Sequence, residues 1–228
     1  GLFIMALLEA RSIQKVYTTR FGGNPVTALS NVSFSMEAGE YTVIMGESGS
    51  GKTTLLNILA ALDRPTRGEV LLDGMNLSQI REKDIAAFRR DHLGFVFQDF
   101  NLLDTFSLRD NIFLPMVLAG KNFEEMNQRL IPIAKKLDIV NILDKYPYEV
   151  SGGQKQRAAV ARALITQPKL ILADEPSGAL DSRATDRLLQ IFHEINFDGQ
   201  TILMVTHDNE CASYADRVIA MEDGKIKN

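Results

Sequence analysis

The sequence predicts an α/β fold: a core with a mostly parallel sheet, an N-terminal antiparallel β part and an inserted α-helical subdomain. Three observations carry this. Short apolar runs of buried-strand type recur along the chain: "YTVIM" (41–45), "KLILAD" (169–174), "TILMV" (201–205) and "RVIAM" (217–221). Helical patterns separate some of them, and strands alternating with helices build parallel sheets. From about Asp99 to Thr166 the pattern turns almost wholly helical, which marks an insertion.

Taken in order, residues 6–14 and 31–36 alternate as strands do, and "RFGGNP" (20–25) between them reads as a turn. The strand at 41–45 is followed by "ESGSGKTTLLNILAAL", a loop and then a helix. "EVLLD" (69–73) and "LGFVFQ" (93–98) are further strands. "LRDNIFLPMVLA" and "FEEMNQRLIPIAKKL" supply the helical periodicity of the insertion. A helix over 183–196 lies between the strands at 169–174 and 201–205. The expected organisation is one domain over 1–228, with a core of 1–98 and 167–228 and a helical subdomain at about 99–166.

The 228 residues are enough for one elaborated domain with a large core. Net charge is −4, from 25 basic and 29 acidic residues, so no nucleic-acid partner is expected. Cys211 is the only cysteine, which leaves no internal disulfide and suits a cytosolic chain. No apolar run approaches the length of a membrane-spanning helix. "GLFIMALLEA" lacks the basic region and apolar core of a signal peptide, and Met5 is read as the native start. If the protein works at a membrane, another chain carries it there.

"GESGSGKT" matches G-x-x-x-x-G-K-[ST], with a strand before it and a helix after it. The nucleotide-binding set is Gly46, Glu47, Ser48, Gly49, Ser50, Gly51, Lys52, Thr53 and Thr54. Backbone N–H groups of such a turn face phosphates, and the helix dipole adds positive potential. Gly49 and Gly51 let the backbone approach. Lys52 brings charge to the β and γ phosphates, and the Thr53 hydroxyl suits Mg²⁺. The loop alone fixes only nucleotide binding, because kinases, GTPases and ATPases share it.

"LILADEPSGALDS" ends an apolar strand in Asp174 and Glu175. An aspartate there completes a Mg²⁺ shell in phosphate-loop enzymes. The next carboxylate can sit beyond the γ phosphate and act as general base towards water. Strand ends also simply stop in acidic turns, so the pair gains its meaning from the phosphate loop. His207 in "TILMVTHD" and Gln98 also follow strands, and ligands of open α/β sheets bind at strand ends. The Gln98 amide can bind Mg²⁺ or position water without adding charge. Each would be unremarkable alone.

"YEVSGGQKQRAAVARAL" opens another helix. Ser151 and Gln154 have capping-box spacing, which does not need Gly152 and Gly153. Bare glycines at a helix start leave its N–H groups open to an anion.

The phosphate loop, Gln98, "SGGQ", "LILADE", "SGALD" and His207 stand in the order found in ATP-binding-cassette ATPases, and the chain resembles that family from about Leu7 to Lys227. The resemblance implies an ATPase that uses ATP and Mg²⁺ and forms an ATP-dependent head-to-tail homodimer around two ATP molecules. It implies that Ser151, Gly153 and Gln154 contact the γ phosphate held by the other subunit. Asp181 would then lie in the loop that crosses between sites, and Tyr17 matches the aromatic that stacks on adenine. "RRDHLGFVFQDFNLLDTFSLRDNIFLPM" (89–116) and "KYPYEVSGGQKQR" (145–157) resemble the branch serving lipoprotein-release and macrolide-type exporters and the cell-division pair. "NLLDT" (101–105) and "KYPYEVSGGQKQR" resemble bacitracin-type antimicrobial-peptide resistance transporters best. The implied activity is that of a bacterial export or resistance motor, and the implied partner is a separate membrane permease, met through 99–116. Phe97, Phe100, Leu102, Leu103 and Phe106 are either subdomain core or, where exposed, a partner patch. A lipoprotein-release or cell-division ATPase is the alternative. A DNA-repair cassette would need a long coiled-coil arm, which this chain lacks, and a cassette translation factor usually has two such domains.

Overall fold

The computed structural model describes residues 6–227, so the expected start at Met5 lies outside the described residues. The chain divides into two compact units, residues 1–85 with 203–228, and residues 86–202.

In the first unit, β1 (Leu8–Tyr17) pairs antiparallel with β2 (Val26–Met36) and with β4 (Arg67–Leu72), and the short β5 (Met75–Asn76) extends β4. This is the expected N-terminal antiparallel part. Its buried face carries Leu8, Ala10, Ile13, Leu29, Val32 and Met36; register shifts, with left-handed Ser12 and Asn31, interrupt the period-two alternation and return the apolar residues to that face. The second sheet of this unit contains β3 (Tyr41–Met45), β8 (Ile202–Thr206), β9 (Arg217–Glu222) and β10 (Lys225–Lys227), in the order β10-β9-β3-β8. β3 and β9 run parallel, and β9 and β10 form a hairpin. Its turn, Asp223-Gly224, has two left-handed residues, as a type I′ hairpin requires. α1 (Lys52–Leu59) follows β3 and buries Leu55, Leu56, Ile58 and Leu59.

The second unit contains the parallel strands β6 (Leu93–Phe97) and β7 (Leu170–Asp174). It also contains α3 (Leu108–Leu118), α4 (Phe123–Lys136), α5 (Gly152–Leu164) and α6 (Ser182–Phe197). α5 lies so close to β6 that a Cβ on Gly94 would sit 2.5 Å from the Ala163 carbonyl oxygen. Ser107, Asn122, Ser151 and Asp181 each cap a helix by accepting a backbone N–H. Asn111 is fully buried, and its amide bonds Leu103 in both directions and also donates to the Phe106 and Ser107 carbonyls. One side chain thereby shapes the turn before α3. α2 (Glu82–His92), where the two units divide, was not expected from the sequence; Phe88 is its buried residue.

Candidate functional site

The first unit presents the phosphate loop. Gly49 and Gly51 have φ of 82° and 101°, where a side chain is strained. A Cβ on Gly51 would lie 2.9 Å from the Ala28 carbonyl oxygen, and one on Gly46 would lie 2.6 Å from the Met221 carbonyl oxygen. The hairpin turn supports the loop from this side: Gly224 N–H donates to Ser50 O at 2.8 Å, and Ser30 N–H donates to Gly224 O at 2.9 Å. α1 begins at Gly51 with no side-chain cap, so its N-terminal N–H groups are left for a ligand. Lys52 is buried, and its ammonium donates to the carbonyls of Gly46 and Glu47. Thr53 is exposed and Thr54 half-buried.

His207, exposed just beyond β8, shares with residues 46–50 a cleft of about 550 Å³. Lys227 and Glu222, on the wall of that cleft, pair at 2.7 Å. Tyr17 is not among its walls. It is 44% exposed on β1, with the Lys15 ammonium 5.1 Å from its ring centroid and its hydroxyl donating to Asp63 at 3.2 Å. Burial pushes the Asp63 carboxyl up, but Lys15, the Arg64 N–H and Tyr17 together outweigh it and hold the group below its ordinary value.

The second unit presents the SGGQ segment. The Ser151 hydroxyl accepts from Gln154 N–H at 3.2 Å, and the Gln154 side chain accepts from Ser151 N–H at 2.9 Å. The capping box thus forms as its spacing predicts, and it leaves the N–H groups of Gly152 and Gly153. These glycines and Ser151 line a cleft of about 630 Å³ with Asp181 and three arginines, Arg157, Arg183 and Arg187. Asp181 caps α6 by accepting from Ala184 N–H at 2.8 Å. Burial, then the nearby charge of Arg187, lower the pKa of Arg157. Two helix starts and three guanidinium groups make this an anion cleft. Sequence reading did not single out the arginines, which lie on two different helices.

Gln98, Asp174 and Glu175 stand at the ends of β6 and β7 in the same unit. Gln98 packs on the "SGALD" loop, since a Cβ on Gly178 would meet its Cδ at 2.5 Å. Glu175 has a φ of 45°. That left-handed conformation in a non-glycine residue is held by Gly178 N–H, which donates to Glu175 O at 3.0 Å. Sequence reading missed Gln156, whose amide reaches both strand-end loops. A polar residue on the buried stripe of α5 was the signal available.

A third cleft in this unit, of about 360 Å³, is lined by Phe95, Phe97, Leu114 and Leu118 with Arg89 and Arg90. The rings of Phe95 and Phe97 stack with centroids 5.8 Å apart. Of the five apolar residues expected to be core or patch, Leu103 and Phe106 are exposed and Phe97, Phe100 and Leu102 are half-buried. Arg162 fixes this segment, donating to Phe100 O at 2.9 Å and Asn101 O at 2.6 Å. Among the described residues, no helix is long and apolar enough to cross a membrane.

A family model described as ABC transporter matches residues 29–178. The chain is 51% identical over 223 residues to the ABC transporter ATP-binding protein YxdL of Bacillus subtilis (strain 168), covering 97% of this chain and 86% of that one. It is 46% identical over 223 residues to the bacitracin export ATP-binding protein BceA of Halalkalibacterium halodurans, covering 97% and 87%. The macrolide export ATP-binding/permease protein MacB of Hyphomonas neptunium is 43% identical over 220 residues, covering 96% of this chain and 34% of that protein. Among solved structures, the dimeric post-hydrolysis state of the ATP-binding cassette MJ0796 with ADP and Pi superposes with a TM-score of 0.86 at 37% identity, covering 97% of each chain.

Proposed function

Because the chain belongs to the ABC transporter family, as an ATP-binding subunit, we propose that it hydrolyses ATP to drive a separate membrane permease in export of, or resistance to, antimicrobial peptides. The observation that carries this reading is the phosphate cradle: an uncapped helix start behind two left-handed glycines, with a buried lysine ammonium beside them. The bacitracin export protein among its relatives supports the substrate class. Residues 1–228 act as one cassette, with about 99–166 as its helical arm.

The N–H groups of residues 49–53 hold the β and γ phosphates, and Lys52 exchanges its carbonyl acceptors for phosphate oxygens. Glu175 accepts a proton from the attacking water, whose oxygen bonds to the γ phosphorus while the β–γ bridging oxygen leaves with ADP. Gln98 positions that water, and His207 donates to the γ phosphate. Mg²⁺ neutralises charge on the phosphates when bound, and Thr53, Gln98 and Asp174 would hold it. No group of three or more His, Cys, Asp or Glu able to hold a metal ion occurs among the described residues. One hydroxyl, one amide and one carboxylate fit a cation whose other ligands are phosphates and water. Tyr17 stacks on adenine with the ring face that Lys15 leaves open.

Ser151, Gly153 and Gln154 serve the γ phosphate of a second copy in a head-to-tail homodimer, and Asp181 crosses with them. The groove of Phe95, Phe97, Leu114 and Leu118 takes an apolar cytoplasmic segment of the permease, and Arg89 and Arg90 favour acidic residues flanking it. The subunit thereby sits on the cytoplasmic side of the membrane. Closing around ATP and reopening after hydrolysis move the permease through differential binding to the two states.

The test is Glu175→Gln. ATP binding is retained, turnover falls by about a hundredfold or more, and an ATP-bound dimer accumulates in size-exclusion chromatography. Full ATPase activity in this variant would remove the general-base assignment.

A further inference from the structure

α5 carries an amide in its apolar face. Gln156 is fully buried, on the stripe it shares with the buried residues Ala159, Val160 and Ala163. Its Nε2 donates to Phe97 O at 3.0 Å and to Pro176 O at 2.5 Å. Phe97 immediately precedes Gln98, and Pro176 immediately follows Glu175. The Gln156 Oε1 is buried and has no hydrogen-bond partner. A buried acceptor without a partner costs stability, so this amide is placed for its two donated bonds.

The two loops it joins meet again further along. Gly178 N–H holds Glu175 O at 3.0 Å, and the Gln98 side chain lies against Gly178. Glu175 sits in a left-handed conformation that its surroundings must impose. A closed circuit results, running from Gln98 through Gly178, Glu175 and Pro176 to Gln156 and back through Phe97. Gln156 is the member of this circuit on α5, two residues beyond Gln154 of the SGGQ segment.

We propose that Gln156 is a positioning residue that fixes the Glu175 carboxylate and the Gln98 amide to the signature helix, so that displacement of α5 by a phosphate at SGGQ is felt directly at the hydrolytic groups. The inference rests on the reading of Glu175 and Gln98 as hydrolytic residues. Gln156 acts through the main chain on either side of them and needs no contact with ATP. Its loss lowers the rate of the chemical step and leaves nucleotide affinity alone, because the phosphate loop makes none of these bonds.

Gln156→Met keeps the length of the side chain without its donors, and Gln156→Asn keeps the amide without its reach. With purified full-length protein and ATP, kcat falls by about ten- to a hundredfold in both, while the dissociation constant of ATP stays within about twofold, since a misplaced catalytic group affects only the transition state. Two results overturn the inference: wild-type kcat in whichever variant folds, or kcat and ATP affinity falling together with the melting temperature. Glu175→Gln in the same assay separates the two levels. If it is inactive while Gln156→Met is fully active, the inference alone falls. If Glu175→Gln itself turns over normally, the reading beneath falls and takes the inference with it.

Discussion

The phosphate loop and the SGGQ segment both expose the N-terminus of a helix to an anion, and they do it by opposite means. At the loop the backbone is unusual: Gly49 and Gly51 are left-handed, and α1 has no side-chain cap. At SGGQ the backbone is ordinary. Neither Gly152 nor Gly153 has positive φ, and a complete capping box orders the helix start. The glycines there serve by lacking side chains, since Gly153 faces Ala184 and both glycines line the arginine-rich cleft. The loop is glycine-rich because of conformation and the signature because of access. On the reading proposed above, the first arrangement serves the phosphates of its own chain's ATP and the second those brought by another chain.

Alanine separates the two cases. Gly51→Ala forces a left-handed alanine, at about 1–2 kcal/mol, and drives its Cβ towards the Ala28 carbonyl, 2.9 Å away. The expected outcome is loss of both melting temperature and ATP binding. Gly153→Ala places a better helix former in α5, worth up to about 1 kcal/mol, against one contact at 3.2 Å from Ala184 Cβ. Stability is therefore held or raised, ATP binding by the single subunit is unchanged, and turnover falls several-fold. Thermal melts, nucleotide titration and turnover of both variants check this, and a destabilised Gly153→Ala would break the distinction.

The smallest expected effect is one of pH, and it belongs to the first unit. Asp63 is held below its ordinary value by Lys15, Arg64 and Tyr17 against the opposing effect of burial. A carboxyl depressed in the folded state contributes stability above its unfolded pKa, near about 4, and loses it as pH falls through the folded value. The wild-type melting temperature therefore drops on acidification below that point, and Asp63→Asn reduces the drop slightly. An identical acid profile in the variant would remove Asp63 from the account.

The fold was legible wherever a strand is a continuous apolar run: 41–44, 170–173 and 202–206 are buried as their composition demands. α2 was not legible, because "EKDIAAFRRDH" buries Phe88 alone and shows no apolar stripe. β5 and β10 are two and three residues long, too short to carry a period. The phosphate loop and the capping box were readable because each is a local pattern a few residues long. The Gln156 amide bonds residues 59 and 20 positions away from it, which no local spacing encodes. The left-handed Glu175 was equally hidden, since a non-glycine residue gives no sign of positive φ.

The claim that SGGQ serves the phosphate of another copy is tested most directly by mixing two inactive chains. Lys52→Ala lacks a working phosphate loop but keeps its signature. Gly153→Asp keeps its loop, and bulk and charge block its signature. Neither chain turns over ATP alone, and activity returns on mixing, because the mixed dimer holds one site built from the intact loop of one chain and the intact signature of the other. A mixture as inactive as its components, with mixed dimers demonstrated by chromatography, would contradict the claim.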